Sequence, residues 1–197
     1  MLAKFENRTD LPIEIGEIRD AMIEIGIQDR IIFSDEVLDT ETLRGAYYQW
    51  REHGAVYGEP IWTTLIVYPR DNEPCWQRAI CAKELVHVCD KQFAKTQTPE
   101  MIMKLSEKIL GQFDMAVDSE ADLMATVDKL AAYQGVNLLV PLAARRLARS
   151  KLASREKTLA EIAEWAAIPE HYVKLVIDGG WDDVSEFLYR LSNGESK

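Results

Sequence analysis

Basic residues are in short supply in this chain. Lys and Arg number 23 against 33 Asp and Glu in 197 residues, a net charge of −10. That deficit argues against a surface that grips nucleic acid or anionic lipid all round, while leaving room for a local basic patch. Cysteine is scarcer still. Cys75, Cys81 and Cys89 are odd in number and contain no C-x-x-C pair, so no disulfide framework is expected. Reduced thiols, buried in a cytoplasmic protein, are the expectation instead. Long apolar runs are missing as well. The longest uncharged stretch, Leu130–Ala144, is too short to cross a bilayer and is interrupted by Gly135 and Pro141. The opening residues, MLAKFENRTDLPIEIGEI, hold no apolar stretch of the secretory kind. These absences point to a cytoplasmic protein with no membrane partner.

What is present suits a globular core: 47% of the residues are hydrophobic and 28% charged. Length and composition imply one domain over 1–197, with 141–191 as a C-terminal helical subdomain. Only the first ten or so residues and the tail from Ser192 read as flexible ends.

Ile15, Ile18, Met22 and Ile25 recur at helical spacing, and Gly26 ends the run. Arg30–Phe33 reads as a short strand, and Asp35–Leu43 as a short helix. Ala46–Trp50 and Ile61–Tyr68, rich in aromatic and β-branched side chains, read as a hairpin or meander. Helices follow: from Pro74 to about Lys91, Thr98 to about Phe113, Ser119 towards Pro141, and then to about Ala153. Thr158 caps Leu159–Ala166, Pro169 starts Glu170–Ile177, and Val184–Leu191 is the last helix. The expected fold class is α+β, with a small antiparallel or mixed sheet in the N-terminal third and a helical bundle after it.

One helix carries a constellation. Lys83, Glu84 and His87 share a face, because residues three and four apart on a helix are neighbours. A histidine at position 83 would make this segment H-E-x-x-H, in which two histidines hold zinc and the glutamate deprotonates a bound water. Cys89 lies about 200° around the helix from His87 and Cys81 about 120°, so neither points at that face.

The segment Arg78–Val88 resembles the metallopeptidase-like domain of the ImmA/IrrE family. Asp128-Lys-Leu-Ala131 through Leu138-Leu139-Val140-Pro141 is similar to that family's downstream E-x-x-A-x-x-F-A-x-x-L-L-M-P helix, with Asp128 where the acidic ligand falls. Leu159–Ala163 with Ile168, Pro169 and Val173 is similar to the helical pair that follows. The resemblance implies a zincin-like fold, Glu84 as catalytic base, and His87 and Asp128 as metal ligands.

Lys83 departs from the pattern. An ammonium has no lone pair to offer a metal and puts positive charge where a dication belongs. Gln134 and Gly135 replace a Phe-Ala pair, and the stretch between His87 and Asp128 holds the Thr98–Phe113 helix as an apparent insertion. The expectation is therefore a pseudoenzyme that binds no cofactor, with Lys83 paired to Asp128. The family association implies a regulatory module that binds a repressor or toxin-like protein in stress, phage or mobile-element responses. The alternative is an active metallopeptidase that uses zinc on His87, Asp128 and one unmatched ligand.

A second feature is the basic run Arg145, Arg146, Arg149, Lys151, Arg155 and Lys157, with Glu156 its single acid. Its local charge of +5 leaves −15 for the rest of the chain. It reads either as a solvated helix face or as an anion or nucleic-acid patch, the latter making the chain a DNA-associated regulator. The helix–turn–helix spacing of 159–177 fits that reading, but its second helix offers Glu170, His171, Tyr172 and Lys174, a poor set for the major groove. His53 and His171 have no ligand spacing and read as surface or hydrogen-bonded residues.

Overall fold

The computed structural model describes residues 1–38, 45–53, 60–89 and 120–192. Within them the chain is α+β, with a three-stranded mixed sheet and helices before and after it. Helix α1 is Leu2–Phe5 and α2 is Ile15–Glu24. At the start of α2, Glu17 reaches back to the N–H of Glu14 at 3.1 Å, satisfying a donor that the helix itself cannot. Ile18, Ala21 and Met22 turn inward. The amino-terminal residues are held rather than loose: Phe5 is buried, because it belongs to the main core.

The strands are β1 (Arg30–Glu36), β2 (Ala46–His53) and β3 (Pro60–Pro69), in the order β1-β3-β2. β1 runs parallel to β3, and β2 antiparallel to it. Phe33, Ile66 and Tyr47 stand side by side in register, so they share one face. The short helix expected from Asp35 does not start there, since Asp35 and Glu36 extend β1 opposite Tyr68 and Pro69. Arg70 supplies the reason: it bonds the Asp35 carboxylate at 2.8 Å, and its own N–H reaches the Glu36 carbonyl at 2.8 Å. The rest of that expected helix, from residue 39, lies outside the described residues, as does the Thr98–Phe113 helix.

Helix α3 (Pro74–Val88) is the axis of the molecule. Nine of its fifteen residues are buried, so it is enclosed on most sides rather than lying on the surface. It packs against β3 and against α4 (Glu120–Leu139). Gly135 makes that approach possible, since a Cβ there would lie 3.0 Å from Lys83 N and 3.2 Å from the Ala82 carbonyl carbon. Arg78 pins the start of α3 through the Ile13 carbonyl at 2.6 Å, Glu14 at 3.0 Å and the Ala167 carbonyl at 3.2 Å.

The remaining helices are α5 (Leu142–Ala153), α6 (Leu159–Ala166), α7 (Glu170–Ile177) and α8 (Trp181–Ser192). Thr158 and Glu161 cap α6 reciprocally: Glu161 N donates to Thr158 Oγ1 at 3.2 Å, and Thr158 N to Glu161 Oε2 at 2.7 Å. One apolar core runs from Phe5, Ile18 and Met22 through Ile66 and Leu85 to Leu139, Ala144, Val173 and Trp181. No helix among the described residues is long and apolar enough to cross a membrane.

The cysteines diverge from the expectation of buried thiols. Cys81 is buried, Cys75 intermediate and Cys89 exposed. Burial, assisted by the charge of Glu84, pushes the Cys81 thiol up to about 12, which keeps it protonated and unreactive.

Candidate functional site

The α3–α4 contact gathers the residues that the sequence singles out. Lys83, Glu84 and His87 come from successive turns of one face of α3, and Asp128 from α4. Lys83 Nζ donates to Asp128 Oδ1 at 2.8 Å and lies 2.9 Å from Glu84 Oε1, the latter an ion pair rather than an aligned hydrogen bond. His87 Nε2 lies 3.2 Å from the same Asp128 oxygen. Tyr47 of β2 stacks on the His87 ring, with centroids 5.7 Å apart and planes 17° from parallel. Glu84 is 2% exposed and His87 6%, while the Lys83 and Asp128 side chains keep a narrow contact with solvent at 18% and 15%. Gly45, just before β2, lets the sheet close over this face, since a Cβ there would meet Ile80 Cγ2 at 2.3 Å and Glu84 Oε1 at 3.3 Å.

The electrostatics follow from this enclosure. Burial by itself drives the Asp128 carboxyl up, but the Lys83 ammonium and the hydrogen bond from His87 outweigh it. The group ends well below the usual carboxylate range. Burial likewise pulls Lys83 down, and the charges of Glu84 and Asp128 more than reverse that, so its ammonium is held above its ordinary value. Asp128 is therefore an ionised acceptor. Its bond to His87 requires the hydrogen to sit on Nε2, which removes that nitrogen's lone pair from ligand duty.

Zinc does not fit this arrangement. A dication would need a lone pair on Nε2, where the hydrogen now sits, and the Asp128 oxygen that already accepts from Lys83, and it would have to share the space with the Lys83 ammonium. Among the described residues no three or more His, Cys, Asp or Glu side chains are grouped in a way that could hold a metal ion. Glu84, expected as a general base beside a metal-bound water, faces Lys83 instead.

The basic run is not one solvated face, because two of its arginines are engaged by the protein itself. Arg145 is buried at 1% exposure and bonds Asn137 Oδ1 at 2.5 Å and Ser185 Oγ at 2.9 Å. Arg149 holds Asp182 through Nη1 at 2.5 Å and caps the end of α7 through the carbonyls of Ile177 at 2.9 Å and Asp178 at 2.7 Å. Those carbonyls have no partner within their own helix, and a guanidinium fork can serve several at once. Arg146 is exposed, and Lys151 pairs with Glu156. No single solvated basic face results. On α7, Lys174 pairs with Glu170 at 2.7 Å, and the exposed His171 stacks on Trp76 at 4.9 Å, so this helix has no surplus of positive charge to bring to a duplex. The His53 side chain lies outside those described.

Sequence reasoning missed Tyr47, Gly45, Asn137, Asp182 and Ser185. Gly135 carried a signal, as a glycine inside a helical pattern that marks a close backbone approach. No family model, curated protein or solved structure matches the chain.

Proposed function

We propose that this chain is a degenerate zinc-peptidase-like domain of the ImmA/IrrE kind, zincin-like in its sheet-and-helix arrangement, that acts by binding another protein rather than by cleaving one. The observation that carries the reading is the position of Lys83 Nζ, 2.8 Å from Asp128 and 2.9 Å from Glu84. An internal cation stands between the carboxylate that would be a metal ligand, Asp128, and the one that would be the general base, Glu84. Buried carboxylates need a counter-charge, and an ammonium on the chain itself supplies one without cofactor. Such a substitution keeps the packing of α3 on α4 while removing the Lewis acid and its water.

On this reading what is left is a domain whose function is recognition of a repressor or toxin-like partner. The reading is tested by elemental analysis of protein purified without chelator, together with peptidase assay in added zinc. We expect far less than stoichiometric zinc and no cleavage. Tightly held stoichiometric zinc would defeat the proposal.

A further inference from the structure

The sheet has a second face, on the side away from α3 and the Lys83 cluster. β3 reads Ile-Trp-Thr-Thr-Leu-Ile-Val-Tyr from Ile61, apolar at most positions rather than at alternate ones, the pattern of a strand covered on both sides. The apolar core takes one of those sides, through Ile31, Phe33, Tyr47, Ile66 and Tyr68. On the other side the register sets Ile32, Leu65 and Tyr48 in one row and Ser34, Val67 and Ala46 in the next. Ile32, Tyr48, Trp50, Leu65 and Val67 lie outside the core that the described residues form. Tyr48 is 57% exposed and stacks on Trp50, with ring centroids 5.6 Å apart. Contiguous apolar side chains of this kind on a surface mark an interface.

The charges along β1 indicate what covers it. Arg30 opens the strand and Glu36 ends it, and both are exposed. Both belong to this second face, because side chains alternate along a strand and Ile31, Phe33 and Asp35 take the other one. Ser34 Oγ donates to Glu36 Oε1 at 2.9 Å from the same side. Within the chain Arg30 Nη1 lies 3.8 Å from Glu52, an exposed pair too loose to hold it. A strip that is positive at one end and negative at the other is complementary to itself turned end for end. In an antiparallel stack of two such faces centred at the level of Phe33, Arg30 of one copy meets Glu36 of the other. Leu65 then meets Val67, and the large Tyr48 meets the small Ala46.

The size of the face sets the strength of the contact. Three strands about 4.8 Å apart, each rising about 3.3 Å per residue, give a footprint at the small end of specific interfaces. We propose that this face joins two copies of the chain, sheet on sheet with the β1 strands antiparallel, in a dimer that forms and dissociates at roughly 10–100 μM.

The test is sedimentation velocity of the full chain at low salt, over a dilution series that spans about 1 to about 500 μM on either side of that range. The expected result is a shift from monomer to dimer across the series, and a monomer throughout for Tyr48→Glu. Arg30→Glu and Glu36→Arg should each weaken the dimer about tenfold, and the double variant should return it close to the parent value. Within one chain the two positions are about 20 Å apart along β1, so that rescue reports a contact between copies. All three residues are exposed, so the variants keep the fold, and an unchanged urea midpoint verifies it. A chain that stays monomeric at the highest concentration overturns the proposal and leaves the face to a different protein. It is overturned equally if Tyr48→Glu dimerises like the parent chain, which puts the contact elsewhere, or if the double variant is as weak as the single ones.

Discussion

Lys83 Nζ and His87 Nε2 converge on one oxygen, Asp128 Oδ1, at 2.8 and 3.2 Å. A lysine and a histidine one helical turn apart thus share a single acceptor from the neighbouring helix. On the function proposed above, position 83 is where a second histidine would join His87 and Asp128 as a metal ligand, and an ammonium hydrogen bond stands there instead. The relationship ties the chemistry of the site to its packing, because the same contact joins α3 to α4.

Replacing the ammonium by an imidazole should reopen the position to metal. Lys83→His places histidines at 83 and 87 with Asp128 opposite, three ligands with room for water. The expected outcome is stoichiometric zinc by competition with a chromophoric chelator, where the parent chain retains little. Lys83→Met removes the cation and supplies no ligand. It should cost about 3–5 kcal/mol in urea unfolding, because two largely buried carboxylates lose their partner, and Asp128→Asn on top of it should restore part of that loss. If Lys83→Met unfolds at the same urea concentration as the parent chain, the pair is not a structural element of the site.

The pH dependence has a definite sign. Asp128 is depressed in the folded chain, so its contribution is complete above the unfolded value of about 3.9 and is lost as the pH falls below it towards the folded value. Lys83 is raised, so its contribution is complete below about 10.4 and is lost only as the pH climbs beyond that. The pair should therefore leave stability flat through neutrality and bend it at both extremes. Urea midpoints measured from pH 2 to pH 6 should fall less steeply for Asp128→Asn than for the parent chain. Equal slopes would show that the carboxylate is not held ionised by its neighbours.

Local signals were readable in the sequence wherever local chemistry decides the structure. Pro74 opens α3, Thr158 with Glu161 caps α6, and Pro169 precedes α7, as single-residue capping preferences dictate. The shared face of Lys83, Glu84 and His87 also follows from helix geometry alone. What a face looks at is a different matter. Arg145 and Arg149 read as an outward basic stripe, yet the partners that turn them inward, Asn137, Ser185, Asp182 and the end of α7, lie between 8 and 40 positions away. Asp35 and Glu36 similarly join β1 through partners on β3 and through Arg70, beyond the reach of a local helix pattern.

Gly135 provides a packing test in which two local effects oppose each other. Alanine is favoured over glycine in a helix interior by about 1 kcal/mol. Its Cβ at this position would sit 3.0 Å from Lys83 N and 3.3 Å from Lys83 Cα, against backbone that has no rotamer to change. Overpacking of this kind costs about 1–3 kcal/mol, so Gly135→Ala should be destabilising on balance in urea melts. Gly179 is the control. A Cβ added there would meet nothing within 4 Å and its φ is not in the left-handed region, so its alanine variant should melt close to the parent chain.

Arg149 tests the inward reading of the basic run. Its guanidinium serves the carbonyls of Ile177 and Asp178 and both oxygens of Asp182, joining the end of α7 to the first turn of α8. Lysine keeps the charge but lacks the planar fork, so it cannot meet these acceptors together. Arg149→Lys should therefore lose about 1–3 kcal/mol of stability, close to the loss in Arg149→Ala, because the unmet carbonyls carry most of the penalty. A patch that works by charge alone would behave the other way: Arg149→Lys would match the parent chain in both stability and low-salt duplex binding, and only Arg149→Ala would fall away. The comparison of the two variants by urea unfolding and by gel shift therefore separates a clamp between α7 and α8 from an anion-binding face.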